Sequence, residues 1–121
     1  MRVESKKYLF DVSCAVANAM RFVAGKTFED YEHDALLRSA VERQLEIVGE
    51  ALAQLARIDE ATASLISEYR RIIGFRNILI HGYAEINSRL VWGVLETKLP
   101  IVRKEAEALL SEEEKGEGGS Q

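Results

Sequence analysis

The chain is predicted to fold as an all-α, antiparallel up-and-down bundle of four main helices, with room for one short helix besides. Three observations carry that prediction. Apolar residues recur at intervals of three and four over most of the length, no stretch alternates as a half-buried strand does, and only one proline interrupts 121 residues that are 47% hydrophobic and 30% charged.

The first helix is expected from about Ser5 to Ala24, because Leu9, Val12, Val16, Met20 and Val23 share one face and Gly25 follows as a stop signal. Phe28 and Tyr31 fall in the connection and are expected to pack over the bundle end. Leu37, Val41, Leu45, Val48, Leu52 and Leu55 then repeat the spacing more cleanly, giving a second helix from about Asp34 to Arg57. Asp59 or Thr62 can cap a third segment, in which Leu65, Tyr69, Ile72, Ile73 and Ile80 form a broad apolar face that Gly82 ends. Asn87 or Ser88 can cap the last helix, whose face carries Val91, Leu95, Val102, Ala106 and Leu109. Pro100 removes a hydrogen bond at a cost of about 3 kcal/mol, so this helix should kink or restart near Leu99.

Residues 1–110 are therefore expected to form one helical domain with a single core. Residues 111–121 have a composition that cannot bury a core and are expected to form a disordered acidic, glycine-rich tail. No apolar run approaches the roughly 20 residues that span a bilayer, and no signal-type run follows Met1-Arg2-Val3-Glu4-Ser5-Lys6-Lys7. Cys14 is the only cysteine, so no internal disulfide is possible. The expectation is a cytoplasmic protein without a membrane partner, with Cys14 a small buried hydrophobe. The net charge of −4 argues against a generic polyanion binder. Between Ser67 and Lys104, however, seven basic residues face three acidic ones, so that region is locally basic.

Within that region Arg76-Asn77-Ile78-Leu79-Ile80-His81-Gly82-Tyr83 gathers an arginine, an amide, a histidine and a tyrosine at a helix end. A guanidinium that stays charged and an imidazole that titrates near neutrality suit phosphodiester chemistry: one stabilises phosphate oxygens, the other moves protons. Asn77 and His81 share a helical face, whereas Arg76 and His81 lie about 140° apart on a regular helix. The helix must end or distort near His81, or Arg76 must reach around. Gly49 is the second oddity, since a glycine inside the best-patterned helix costs about 1 kcal/mol relative to alanine. Close approach of a neighbouring helix offsets that cost. Glu50 beside it is then a candidate partner for Arg76 or Asn77. No Cys/His/Asp cluster with metal-ligand spacing is seen, so neither a metal nor another cofactor is expected.

The octapeptide resembles the Arg-x4-His-x-Tyr signature of the toxin branch of the HEPN superfamily, the higher-eukaryote and prokaryote nucleotide-binding helical domains, and specifically its HepT-type proteins. The resemblance covers about residues 4 to 110, with a second motif in Ala40-Val41-Glu42-Arg43-Gln44-Leu45-Glu46-Ile47-Val48-Gly49-Glu50-Ala51 and further likeness in the Thr27-Phe28-Glu29 turn and from Val91-Trp92 through Leu99-Pro100. One departure precedes the signature, where the family often carries a proline and a tryptophan and this chain reads Ala63-Ser64-Leu65-Ile66-Ser67.

The resemblance implies a metal-independent endoribonuclease acting as the toxin of a type VII-like toxin–antitoxin pair. It implies Arg76 and His81 as the catalytic pair, Asn77 as the polar residue beside the arginine, and Tyr83 as the position that a minimal nucleotidyltransferase antitoxin modifies with AMP. RNA cleaves itself when its 2′-hydroxyl attacks the neighbouring phosphate, which needs a base, an acid and a positive charge. The only other histidine, His33, lies in a charged stretch and is expected to be exposed. A twofold homodimer, the pairing HEPN relatives use, supplies the second histidine. The competing reading is a non-catalytic HEPN protein that binds nucleotide or RNA, or an adaptor that docks the nucleotidyltransferase.

Overall fold

The structure, a computed structural model, describes residues 1–82 and 86–119, with side chains through residue 114. Seven helices stand among the described residues: α1 (Val3–Phe22), α2 (Phe28–Glu32), α3 (Ala35–Ile58), α4 (Glu60–Ala63), α5 (Tyr69–His81), α6 (Ser88–Thr97) and α7 (Leu99–Gly119). The fold is the all-α bundle that the periodicity predicts.

α3 forms the middle of the bundle because its apolar stripe is the longest. Leu37, Val41, Leu45, Val48, Leu52 and Leu55 are all buried. α1 lies along it, contributing Leu9, Val12, Ala15, Val16 and Ala19 to the same core, and α5 packs on another side of α3. α7 closes on α1, α6 packs on α7, and short α2 bridges α3 and α6. The stripe Val91, Leu95, Leu99, Val102, Ala106 is buried without interruption although the backbone changes helix beneath it. That change comes where the proline requires it. α6 ends at Thr97, α7 begins at Leu99, and Pro100 sits in a first turn, where a missing N–H leaves no gap.

The starts of α2, α3, α4 and α6 are fixed by side chains. Asp34 caps α3 through Leu37 N (3.0 Å), Asn87 caps α6 through Arg89 N and Leu90 N, and Thr27 with Asp30 forms a reciprocal capping box on α2. Asp59 does more than cap α4. Its carboxylate accepts from Thr62 Oγ1 (2.6 Å), Thr62 N (3.2 Å) and the fully buried Ser5 Oγ (3.0 Å), so it ties α1 to the α3–α4 corner. These bonds, led by that from the Thr62 hydroxyl, hold the Asp59 carboxyl below its ordinary 3.8. A carboxyl lowered on folding stabilises the native state above its unfolded pKa and loses that contribution as pH falls. Asp59→Ala should therefore reduce stability by about 1–2 kcal/mol at neutral pH. Denaturant melts should show the gap to the parent closing below about pH 4, the ordinary aspartate range.

The third helix differs from expectation. A single segment from Asp59 or Thr62 to His81 is predicted, yet the chain forms α4, leaves the helix after Ala63 and begins again at Tyr69. The hinge residue is Glu68, whose φ of 56° places a non-glycine residue in the left-handed region. Its carboxylate is held by Arg71 Nη1 three residues on (3.0 Å) and by Lys98 Nζ (2.7 Å), a partner far off in the sequence. The break shifts the buried position from Leu65, which is exposed, to Ile66. On α5, Ile72 and Leu79 are buried, Tyr69, Ile73 and Phe75 are partly buried against the core, and Ile80 is 46% exposed. At the other end of the chain the backbone of α7 is helical through Gly119, and Glu113 meets the Met1 ammonium at 3.2 Å. Cys14 is exposed, so the expectation of a buried thiol is corrected: on α1 it lies beside the core stripe, on the solvent side. No helix is long and apolar enough to cross a membrane among the described residues.

Candidate active site

α5 packs closely on α3 at Arg76, and Gly49 is the reason. A Cβ built on Gly49 would lie 2.3 Å from Arg76 Cβ, 2.8 Å from Arg76 Cγ and 3.3 Å from the Ile72 carbonyl. Only a residue without a side chain lets the two backbones approach so far. The glycine that weakens α3 as a helix is thus the seat of the arginine on α5. The close approach predicted from its position is what the structure contains.

The next residue on α3 completes that seat. Glu50 Oε2 accepts from Arg76 Nη1, and Glu50 Oε1 is itself held by Gln54 Nε2 at 3.2 Å. The Arg76 side chain is 22% exposed while that of Glu50 is 50% exposed, so the arginine is the more enclosed partner. Its Nε is buried without a hydrogen-bond acceptor. A guanidinium has five N–H donors in a rigid plane, and one direct carboxylate contact leaves others for a phosphate. The charge is therefore pre-positioned by packing on one side and by an ion pair on another. Glu50 partners Arg76, and Asn77 is exposed on a different face.

His81 is the last residue of α5 and stands exposed. Gly82 N donates to Ile78 O (2.8 Å), and a Cβ on Gly82 would come within 2.5 Å of that same oxygen. Its φ of −73° shows that the glycine is needed for this close carbonyl and not for a left-handed turn. Asn77 and His81, four apart, share the outward face, while Arg76 points toward α3. Among the described residues no hydrogen bond joins Arg76 to His81. Within one chain the backbone positions of Arg76 and His81 are about 7.5 Å apart along the axis of α5, at 1.5 Å per residue. Tyr83 lies outside the described residues. His33 is exposed, as expected, with Nδ1 against Glu29 O at 2.9 Å.

Residues 12–109 match the family described as Ribonuclease HepT-like, a span that contains Gly49, Glu50, Arg76, Asn77, His81 and Tyr83. The chain belongs to the HepT-like ribonuclease family. It is 34% identical over 91 residues to a "Putative RNase" of Caldanaerobacter subterraneus subsp. tengcongensis, covering 75% of this chain and 80% of that protein. It is 29% identical over 109 residues to "Probable ribonuclease HepT" of Thermococcus cleftensis, covering 90% of this chain and 98% of that one. A "Putative RNase" of Methanocaldococcus jannaschii is 29% identical over 102 residues, covering 84% and 93%. No solved structure matches the chain.

Phe28 and Tyr31 pack against the core as expected, within an aromatic and charged cluster whose other members, Trp92 and Arg89, periodicity does not single out. Trp92 meets Tyr31 at 5.5 Å and the edge of Phe28 at 6.1 Å between ring centroids, and the Arg89 guanidinium lies 4.1 Å over the Phe28 ring. The available signal was Arg89 itself, one of the basic residues concentrated after Ser67. Its partner on α2 is far off in sequence.

Proposed function

We propose that this HepT-like chain is a metal-independent endoribonuclease, the toxin of a type VII-like pair, which works as a homodimer and is neutralised by AMP placed on Tyr83. The observation that supports this best is the seat of Arg76. A guanidinium enclosed by a glycine, anchored by a carboxylate and still holding free donors is suited to bind the charge of a pentacoordinate phosphorane.

In the proposed reaction His81 removes the proton of a ribose 2′-hydroxyl. The O2′–P bond forms, the P–O5′ bond breaks, and a second imidazole protonates the leaving 5′-oxygen. Arg76 stabilises the phosphorane oxygens, and Asn77, on the face of His81, offers amide hydrogen bonds to the substrate. The second imidazole is His81 of the partner subunit across a twofold axis. Ile78, Ile80 and Leu90, which are 55%, 46% and 51% exposed, provide apolar surface for that pairing. Glu50 orients the arginine. The products are a 2′,3′-cyclic phosphate and a 5′-hydroxyl, identifiable by mass spectrometry. A hydrolytic 3′-hydroxyl end would defeat this route, and RNA bound tightly but left uncut would favour the non-catalytic alternative.

Two results are expected from the dimer and its control. Light scattering at dilute concentration should give twice the mass of 13.6 kDa. Mixing His81→Ala with Arg76→Ala protomers should give activity unlike that of either variant alone, and a monomer that still cleaves RNA would remove the shared site. Co-expression with the cognate nucleotidyltransferase should add AMP to the parent and silence it, since a phosphodiester charge of about −1 then competes with the RNA backbone. Tyr83→Phe should gain no AMP and remain active. AMP found on that variant, or full cleavage by modified parent, would overturn the control.

A further inference from the structure

Between α2, α3 and the start of α6 lies a cavity of about 700 Å³, lined among others by Phe28, Arg38, Ser39, Glu42, Asn87 and Arg89. Its volume is that of a small-molecule site. Two guanidiniums (Arg38, Arg89) and two carboxylates (Glu32, Glu42) line it, so a bare phosphate gains little there. Its charges suit a ligand with both donors and acceptors.

Two polar groups beside the cavity lack partners. The Tyr31 hydroxyl is fully buried without a hydrogen bond, and the charges of Glu42 and Arg38 act on it. Among the described residues no hydrogen bond reaches the Glu42 carboxylate, which is half-buried, and burial raises its pKa despite Arg38. The Tyr31 hydroxyl is enclosed behind the cavity wall, whereas Glu42 lines the cavity, so its carboxylate is free to accept from a ligand held there. Arg89 adds a stacking surface. Phe28 covers one face of its guanidinium, and unpaired bases stack on arginine planes.

We propose that this cavity is a base-binding subsite that takes one unpaired guanine of the RNA substrate. The inference deepens, and rests on, the ribonuclease reading. Of the four RNA bases only guanine presents two adjacent N–H donors, N1–H and N2–H, on its Watson–Crick edge, and these match the two oxygens of Glu42. Guanine O6 then meets Arg38, while uracil turns carbonyls toward the carboxylate, and adenine and cytosine each offer one donor beside an acceptor. The place also fits. Ile86, which lines the cavity, is five positions on from His81, and a chain spans at most about 3.6 Å per residue, so their Cα atoms lie within about 18 Å. A base bound here is within a few nucleotides of the scissile phosphate.

The test is titration of the full chain with 5′-GMP, AMP, CMP and UMP by calorimetry, independent of cleavage. GMP should bind roughly tenfold or more tightly than the others, in keeping with one bidentate base contact. Glu42→Gln should abolish that preference, with Glu42→Asp as a second variant should the first melt early. Arg89→Ala should weaken all four by a similar factor, roughly 5- to 100-fold, as loss of a stacking surface does. Four nucleotides binding alike, no binding at millimolar GMP, or a preference that survives Glu42→Gln overturns the proposal. So does GMP affinity that falls with His81→Ala, because that ligand sits at the cleavage site. A chain that binds GMP through Glu42 but never cuts RNA keeps the subsite and defeats the nuclease reading. Cleavage with no base preference, and nucleotides bound alike, does the reverse.

Discussion

His81→Ala is expected to lower RNA cleavage by about 10²- to 10⁴-fold, the range that one positioned general acid–base group contributes. Arg76→Ala should lower it by about 10²- to 10³-fold, as removal of one pre-positioned charge donor does. The two losses should not come from unfolding. His81 is exposed at the end of α5, where its removal forfeits at most the favourable placement of a basic group near a helix C-terminus, about 0.3–1 kcal/mol. Arg76 packs on α3 through its aliphatic stem, so Arg76→Ala should soften the α3–α5 contact without dissolving the core. Arg76→Lys separates charge from shape: lysine keeps the charge but not the planar fork. It should recover part of the loss. Initial rates with a labelled RNA, beside thermal melts of each variant, decide these points. Parental rates in either alanine variant would remove that residue from the mechanism.

Gly49→Ala carries the second large effect, and its sign runs against helix propensity. Alanine should stabilise a mid-helix position by about 1 kcal/mol. Here the new Cβ would meet Arg76 Cβ at 2.3 Å, an atom fixed to the α5 backbone and unable to swing aside. α5 must shift outward, at the 1–3 kcal/mol typical of overpacking, so the net result is destabilisation. Moving α5 draws Arg76 away from Glu50 and from the reacting phosphate. A displacement near 1 Å in a positioned group can reduce rate about 10²-fold, and a loss of that order is expected. Gly74→Ala is the control, because nothing lies within 4 Å of the added Cβ. It should raise stability by about 0.4–1 kcal/mol. If Gly49→Ala melts higher than the parent and cleaves as fast, the glycine seat has no functional meaning.

These two cases show which parts of the molecule local sequence encodes. Gly49 was legible because a lone glycine in a strongly periodic helix contradicts its surroundings, and the contradiction is resolved by a neighbour's backbone. Glu50 was legible only as adjacent to that glycine, and the contact with Arg76 needed the α3–α5 packing to become specific. The restart at Leu99 followed from the covalent chemistry of Pro100. The break between Ala63 and Tyr69 was not legible. It contains neither glycine nor proline, and its left-handed Glu68 is stabilised by Lys98 from the α6–α7 junction. Nothing near Glu68 in the sequence announces that partner. The same holds for Arg89 over Phe28 and for Tyr31 against Trp92, pairs that join distant helices. Periodicity reports which face is apolar; it does not report which side chains meet across it.

The central claim is that Arg76 and His81 cleave RNA without a metal ion, and cleavage of end-labelled RNA in excess EDTA by the parent and by His81→Ala, side by side, tests it most directly. The parent should cut RNA in EDTA and leave 2′,3′-cyclic phosphate ends, with at most about one hundredth of that rate for His81→Ala. Loss of parental cleavage in EDTA with recovery on adding Mg²⁺, or equal cleavage by the two proteins, would contradict it.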